Sequence, residues 1–237
     1  YNSAIARPPA RGDAGLMRAL LFALLALFAP HLAQAQTPPP PPPPPESILA
    51  IVDVETTGLD PGHHEMIDAG LIYTTLDGRE LGRLYLKIMP THPERLSPGA
   101  KAVNGFDVGY WRANGAIEEK DAVARLVAFH RDTAAGRTVI FTAYNVWFDR
   151  AFLTALLAEH GADFRALYHY QVLDIPSMAF GQGERRIRGS ELAAVLGIAP
   201  ETSVPLEHTG ITGAQFNLDV YRLLLARHAH KKADASQ

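Results

Sequence analysis

The chain contains no cysteine, which excludes disulfides and thiolate metal sites and leaves any metal to oxygen and imidazole ligands. It also lacks a basic excess, with 22 Lys and Arg against 25 Asp and Glu and a net charge of −3. Broad electrostatic wrapping of duplex nucleic acid needs a basic face, so that mode is excluded; a grip on a few nucleotides at a strand end is not. There is no internal repeat. The apolar run Ala19 to Ala29 is too short to cross a bilayer as a stable helix, so no stable membrane span is expected.

That short run carries information of another kind. Met17-Arg18 opens it, Pro30-His31 closes it, and Ala33-Gln34-Ala35 fits a small-residue cleavage site, the layout of a secretory signal peptide. Residues 1–16, which begin with Tyr, read as upstream read-through, and residues 17–35 as the leader. Export to a periplasmic or extracellular space is the expectation, with a cytoplasmic location if the leader is a misassigned start. Eight prolines, Pro38 to Pro45, follow and favour an extended rod, so residues 36–46 read as a linker. The folded domain is expected over residues 47–230, with a flexible tail over 231–237.

Within the domain, the apolar run Ile48 to Val54 reads as a first strand, Met66 to Leu76 as a second and Leu81 to Ile88 as a third, with Asp77-Gly78 as a hairpin turn. Ser97 and Pro98 start a short helix, and Ile117 to Ala134 has the spacing of a longer amphipathic one. Thr138 to Ala143 is a further apolar strand, followed by a helix through Trp147, Phe152 and Leu156. Val172-Leu173 is a short strand leading into another helix. Ser190 to Leu196 is a helix ended by Gly197, and a last helix runs from about Thr212 to His230. This order predicts an α/β fold, a mixed sheet with helices on both faces.

The first strand ends in Asp53-Val54-Glu55-Thr56-Thr57-Gly58. Side chains alternate along a strand, so Asp53 and Glu55 share a face and form an oxygen-ligand pair suited to Mg²⁺ or Mn²⁺. Two other segments carry chemistry-bearing residues where elements meet: Tyr144-Asn145-Val146-Trp147-Phe148-Asp149 and Glu207-His208-Thr209. Asp149 alone also has a reading as a helix cap, and His208 alone reads more often as a surface histidine than as a base. Trp147 and Phe148 read as core. Asp174 reads as a helix-start acceptor, His63-His64-Glu65 as a solvated loop, and Arg185, Arg186 and Arg188 as a solvated basic loop.

Together the three segments, their order and the intervening Ala102-Val103-Asn104-Gly105 resemble the DEDDh exonucleases, over about Ile48 to Leu225. That superfamily includes the proofreading subunit of the bacterial replicative polymerase, RNase T and oligoribonuclease. The resemblance implies a ribonuclease H-like sheet and 3′→5′ hydrolysis of single-stranded DNA or RNA from its 3′ end, releasing nucleoside 5′-monophosphates. It implies two divalent ions, Mg²⁺ or Mn²⁺, held by Asp53, Glu55 and Asp149, with His208 as general base. Thr56 and Thr57 would hold the terminal nucleotide, Leu59 would press on the terminal bases, and Asn145 would sit near the phosphate path.

One position departs from the pattern. The family's last metal-binding Asp falls five residues after the histidine, and here that residue is Gly213. Asp219 lies on the wrong side of a helix to replace it. Thr212-Gly213-Ala214-Gln215 has capping-box form, so the helix start is supported without an acid. A water or Glu207 as substitute ligand, or a weakened module that binds 3′ ends without turnover, both fit this departure. Oligomeric state is not legible.

Overall fold

The computed structural model describes residues 46–234. The expected read-through, the leader and nearly all of the proline linker lie outside the described residues. The apolar run after Ser47 forms β1 (Ile48–Thr56), near the centre of a six-stranded sheet ordered β4-β3-β2-β1-β5-β6. β1 pairs antiparallel with β2 (Met66–Thr75), which pairs antiparallel with β3 (Glu80–Met89), giving the expected meander. On its other edge β1 runs parallel to β5 (Val139–Ala143), which is followed by parallel β6 (Val172–Asp174). A two-residue strand, β4 (Ile117–Glu118), pairs parallel with the end of β3.

The described residues also hold a 3₁₀ turn (Pro93–Arg95) and eight α-helices: α1 (Pro98–Asn104), α2 (Val108–Ala113), α3 (Glu119–Ala134), α4 (Val146–Glu159), α5 (Phe164–Leu167), α6 (Ile175–Gly181), α7 (Gly189–Leu196) and α8 (Gly210–Asp234). No described helix is long and apolar enough to cross a membrane.

β1 is apolar from Ile48 to Val52 because both of its faces are covered there. Its even-numbered residues Ile48, Ala50, Val52 and Val54 pack with Leu126 of α3 and with Phe152 and Leu153 of α4. Its odd-numbered residues Leu49 and Ile51 pack with Ala214, Leu218 and Tyr221 of α8. Asp53 and Glu55 continue the odd register, so the strand delivers both carboxylates to the face that α8 covers.

α8 sits close to the sheet because two glycines meet. A Cβ on Gly70 would overlap the Gly210 carbonyl, and a Cβ on Gly210 would stand 2.6 Å from the Asp53 carbonyl oxygen. The helix therefore starts at Gly210, two residues before the expected Thr212. The capping box at Thr212 does not form. Gln215 donates instead to Asp219 at 3.0 Å, and the Gly210 N–H is taken by Asp68 Oδ1 of β2 at 2.8 Å.

The helix expected from Ile117 begins at Glu119, because Ile117 and Glu118 pair with Ile88 and Met89 at the sheet edge. α2 and α5 were not expected from periodicity; six and four residues are too few to show a helical repeat. Each is capped by an aspartate, Asp107 accepting from Tyr110 N and Asp163 from Arg165 N.

Candidate active site

The first two site residues come from the end of β1, where Asp53 is partly buried and Glu55 is buried. The third comes from the β5–α4 junction. Asn145 adopts the left-handed conformation (φ 57°) and turns the chain sharply from strand into helix, a conformation asparagine tolerates better than most residues. The turn brings Asp149, in the first turn of α4, back against β1, where its Oδ1 accepts the Val54 N–H at 3.1 Å. Asp149 thus does more than begin a helix: it ties α4 to the strand end that carries Asp53 and Glu55.

His208 arrives on the loop between α7 and α8. Its Nε2 lies 3.1 Å from Glu55 Oε1, and its Nδ1 donates to the Thr202 carbonyl at 2.5 Å. The Nδ1 bond fixes the ring so that Nε2 faces the carboxylates. The bond to Glu55 is the chief cause raising the His208 pKa to about 9; burial acts against it, and the Thr202 carbonyl and the charge of Glu201 add to it.

Glu201, on the same loop, is the member of the site that sequence reasoning missed. Its Oε1 is 3.6 Å from His208 Nδ1 and, among the described residues, has no hydrogen-bond partner although the atom is buried. No spacing rule pointed to it, because an acid seven residues before the histidine has no fixed geometry on an irregular loop. Glu207, the substitute considered from sequence, is exposed, and Asp219 is held by Gln215 and Arg222 on the outer face of α8.

Asp53, Glu55, Asp149 and Glu201 line one cleft of ≈ 450 Å³ with His208, at the carboxyl ends of parallel β1 and β5. Burial, and then the neighbouring charge of Asp149, push Asp53 well above the usual carboxylate range. Burial does the same to Asp149, against the hydrogen bond from Val54 that holds it down. Glu201 is pushed up to about 7, again mainly by burial. Among the described residues neither Asp53 nor Asp149 forms an ion pair with a lysine, arginine or histidine. An all-oxygen cluster short of positive charge, with one buried carboxylate oxygen unpartnered, fits a hard divalent cation.

Asn104, in the segment between the motifs, latches α1 to the strand end. Its Nδ2 donates to the Thr56 carbonyl at 3.0 Å and lies 3.5 Å from Glu55 Oε2.

The remaining residues singled out from sequence divide between cleft and scaffold. Thr56, Leu59 and Asn145 line the cleft, Leu59 with 82% of its surface exposed. Thr57 is fully buried, its Oγ1 accepting the Glu65 N–H at 2.9 Å, so its side chain closes the loop and is not in the cleft wall. Phe148 lines the cleft. Trp147 was expected in the core but is 63% exposed, with the Arg150 guanidinium 5.7 Å from its ring centre.

Asp174 accepts from two helix starts, Val146 N at 3.2 Å and Ser177 N at 3.0 Å. Arg185, Arg186 and Arg188 are exposed and outside the cleft wall. His63 is likewise exposed, and His64 packs its ring against Gly58.

No family model matches the chain. The Escherichia coli protein named 3′-5′ DNA exonuclease Cap18 is 28% identical over 193 residues, covering 80% of this chain and 97% of that protein. Among solved structures, E. coli exonuclease I in complex with a dA16 oligonucleotide superposes with a TM-score of 0.65 at 18% identity, covering 78% of this chain and 42% of that one. The zinc-ion-bound form of the E. coli exonuclease I complex with single-stranded DNA gives a TM-score of 0.62 at 18% identity, covering 77% and 41%. The chain therefore spans nearly all of Cap18 but less than half of exonuclease I.

Proposed function

We propose that the chain is a 3′–5′ exonuclease of the DnaQ-like superfamily, a hydrolase of phosphodiester bonds that shortens single-stranded DNA from the 3′ end and releases nucleoside 5′-monophosphates, a reading supported by the likeness to Cap18 along nearly its whole length. The observation that carries the reading is the meeting of Asp53, Glu55 and Asp149 with His208 in one cleft, from three segments far apart in sequence. In this reading the three carboxylates hold two divalent ions, Mg²⁺ or Mn²⁺. Bound there, such ions supply a nucleophile at neutral pH and stabilise charge on the leaving oxygen.

The chain's own residues do the rest. His208 is fixed by Thr202 with Nε2 toward the carboxylates, and accepts the proton of the attacking water once the charge of Glu55 is neutralised. Asn104 holds Glu55 and the Thr56 carbonyl in place. Leu59, exposed at the rim, offers an apolar surface to the terminal base, and Asn145 offers an amide at the cleft wall.

DNA is favoured over RNA by the likeness to Cap18 along nearly its whole length. The alternative of a weakened binding module rests on Gly213, and the fourth carboxylate standing beside that residue argues for turnover.

The test is incubation of the full chain with a 5′-labelled single-stranded oligodeoxynucleotide in Mn²⁺. The expected result is a ladder shortening from the 3′ end, abolished by chelator and by Asp53→Ala. A ladder that persists in Asp53→Ala, or no ladder from the natural sequence, overturns the reading. The same oligonucleotide as RNA, run alongside, reports the sugar preference.

A further inference from the structure

A Cβ placed on Gly213 would overlap the Asp53 carboxylate and stand 2.8 Å from Glu201 Oε1. Position 213 therefore touches the carboxylate cluster, and the room that a side chain would need there is already taken. One occupant is Asp53, from β1. The other is Glu201, which reaches in from the loop between α7 and α8.

The loop is held so that it can do this. It leaves α7 through Gly197 in the left-handed conformation (φ 72°). Near its far end Leu206 adopts φ 71°, a strained value for a leucine, while its N–H donates to the Asn104 carbonyl at 3.1 Å and its side chain packs on Gly105. Asn104 also latches the strand end beside Glu55. The loop that presents Glu201 and His208 is thus anchored to the same residue that positions Glu55.

A role for Glu201 as the partner that orients His208 does not explain this geometry. His208 Nδ1 already donates to the Thr202 carbonyl at 2.5 Å, against 3.6 Å to Glu201 Oε1. Among the described residues that oxygen is left buried and unpartnered, an arrangement that is costly unless a donor or cation completes it.

We propose that Glu201 is the fourth carboxylate of the metal centre, delivered from the α7–α8 loop in place of a ligand from α8, and that Gly213 is the residue that makes room for it. The proposal rests on the exonuclease reading and deepens it. The acid seven residues before the histidine takes over from the position five residues after it, and the glycine follows from the exchange. On this account the site carries a full set of four carboxylates from an unusual set of positions.

The test reads metal binding directly, by calorimetric titration of Mn²⁺ into the full chain without nucleic acid. Glu201→Gln keeps the shape of the side chain and is expected to weaken Mn²⁺ binding about tenfold or more, since even outer partners of metal ligands are worth that much. Its metal-free melting temperature should equal or exceed that of the natural chain, because a like charge has left the cluster. That readout separates lost ligation from lost folding.

Gly213→Asp supplies the independent arm. If Glu201 fills the fourth place, the added acid gains no ligand position and binding does not tighten; if the place is vacant, the added acid fills it and binding tightens. Tighter binding by Gly213→Asp, or binding by Glu201→Gln equal to the natural chain, overturns the proposal. Asp53→Asn shows which reading has failed. Loss of Mn²⁺ in Asp53→Asn with retention in Glu201→Gln removes Glu201 and leaves the exonuclease site standing. No Mn²⁺ binding by the natural chain itself removes both.

Discussion

The Asp68 carboxylate, near the start of β2, accepts the backbone N–H of Gly210 at 2.8 Å, across 142 residues of sequence. Its other oxygen accepts from Tyr85 OH at 3.1 Å. A strand residue thereby caps the helix that starts two residues after His208 and carries Gly213. Asp68→Ala leaves the buried Gly210 N–H without a partner and is expected to cost about 2–3 kcal/mol in urea unfolding. Asp68→Asn should cost well under half of that. It keeps an acceptor for Gly210, and burial already pushes the Asp68 carboxyl up to about 7, so the neutral form is native to the site near neutral pH. Equal losses from the two substitutions would remove the capping role.

The metal-free chain should lose stability as pH rises. Asp53 and Asp149 take up protons in the fold well above their ordinary range, and Glu201 and Asp68 do so up to about 7. Between each group's ordinary and folded values the folded state binds more protons than the unfolded chain, so stability falls with rising pH. His208 acts in the same direction. Its contribution is complete below the ordinary 6.5 and is lost as pH climbs through about 9. Melting temperatures in chelator should therefore decline steadily from about pH 5 to about pH 9. Mn²⁺ should raise them most at the alkaline end, where the carboxylates are ionised. A flat metal-free profile, or no rise with Mn²⁺, contradicts this account of the cluster.

Much of this site was legible because strand periodicity is rigid. Once β1 was placed, Asp53 and Glu55 had to share a face, and the structure puts them on the face of α8. Asp149 was legible as a residue at a strand-to-helix junction, though its bond to Val54 N was not. What could not be read was set by backbone contacts between distant segments. The α8 start depends on Asp68 and on the Gly70–Gly210 approach, which outweigh the local Thr212-Gln215 pattern. Glu201 depends on the course of an irregular loop bent at Leu206. Trp147 was placed in the core because it is large and apolar, yet the helix face it occupies looks outward, beside Arg150.

Asn145 allows backbone and side-chain effects to be separated. It sits at φ 57°, ψ 54°, where a residue with an ordinary Cβ is strained by about 1–2 kcal/mol. Asn145→Gly should keep the stability of the chain within about 0.5 kcal/mol, since glycine adopts this conformation freely. Asn145→Ala should lose about 1 kcal/mol in denaturant unfolding. If the amide also contacts the phosphate path, both variants lose a similar factor in turnover despite their different stabilities. Turnover that follows stability instead would assign Asn145 to the turn alone.

Leu59 gives the most direct link from surface to substrate. It is 82% exposed, yet its loop is rigid: the Thr57 N–H donates to the Glu65 carbonyl at 2.8 Å, the Glu65 N–H donates to Thr57 Oγ1 at 2.9 Å, and the His64 ring packs on Gly58. An apolar side chain held in water on a fixed loop at the cleft rim contributes little to folding. Leu59→Ala should leave the melting temperature unchanged. Burying a leucine against a base is worth about 1.5–3 kcal/mol when complete, so KM for a single-stranded 3′ end should rise by about tenfold or more. The rate at saturating substrate should change far less, because Leu59 touches no reacting atom. An unchanged KM would mean that the terminal base lies elsewhere, and Phe148, on the same cleft wall, would become the residue to substitute next.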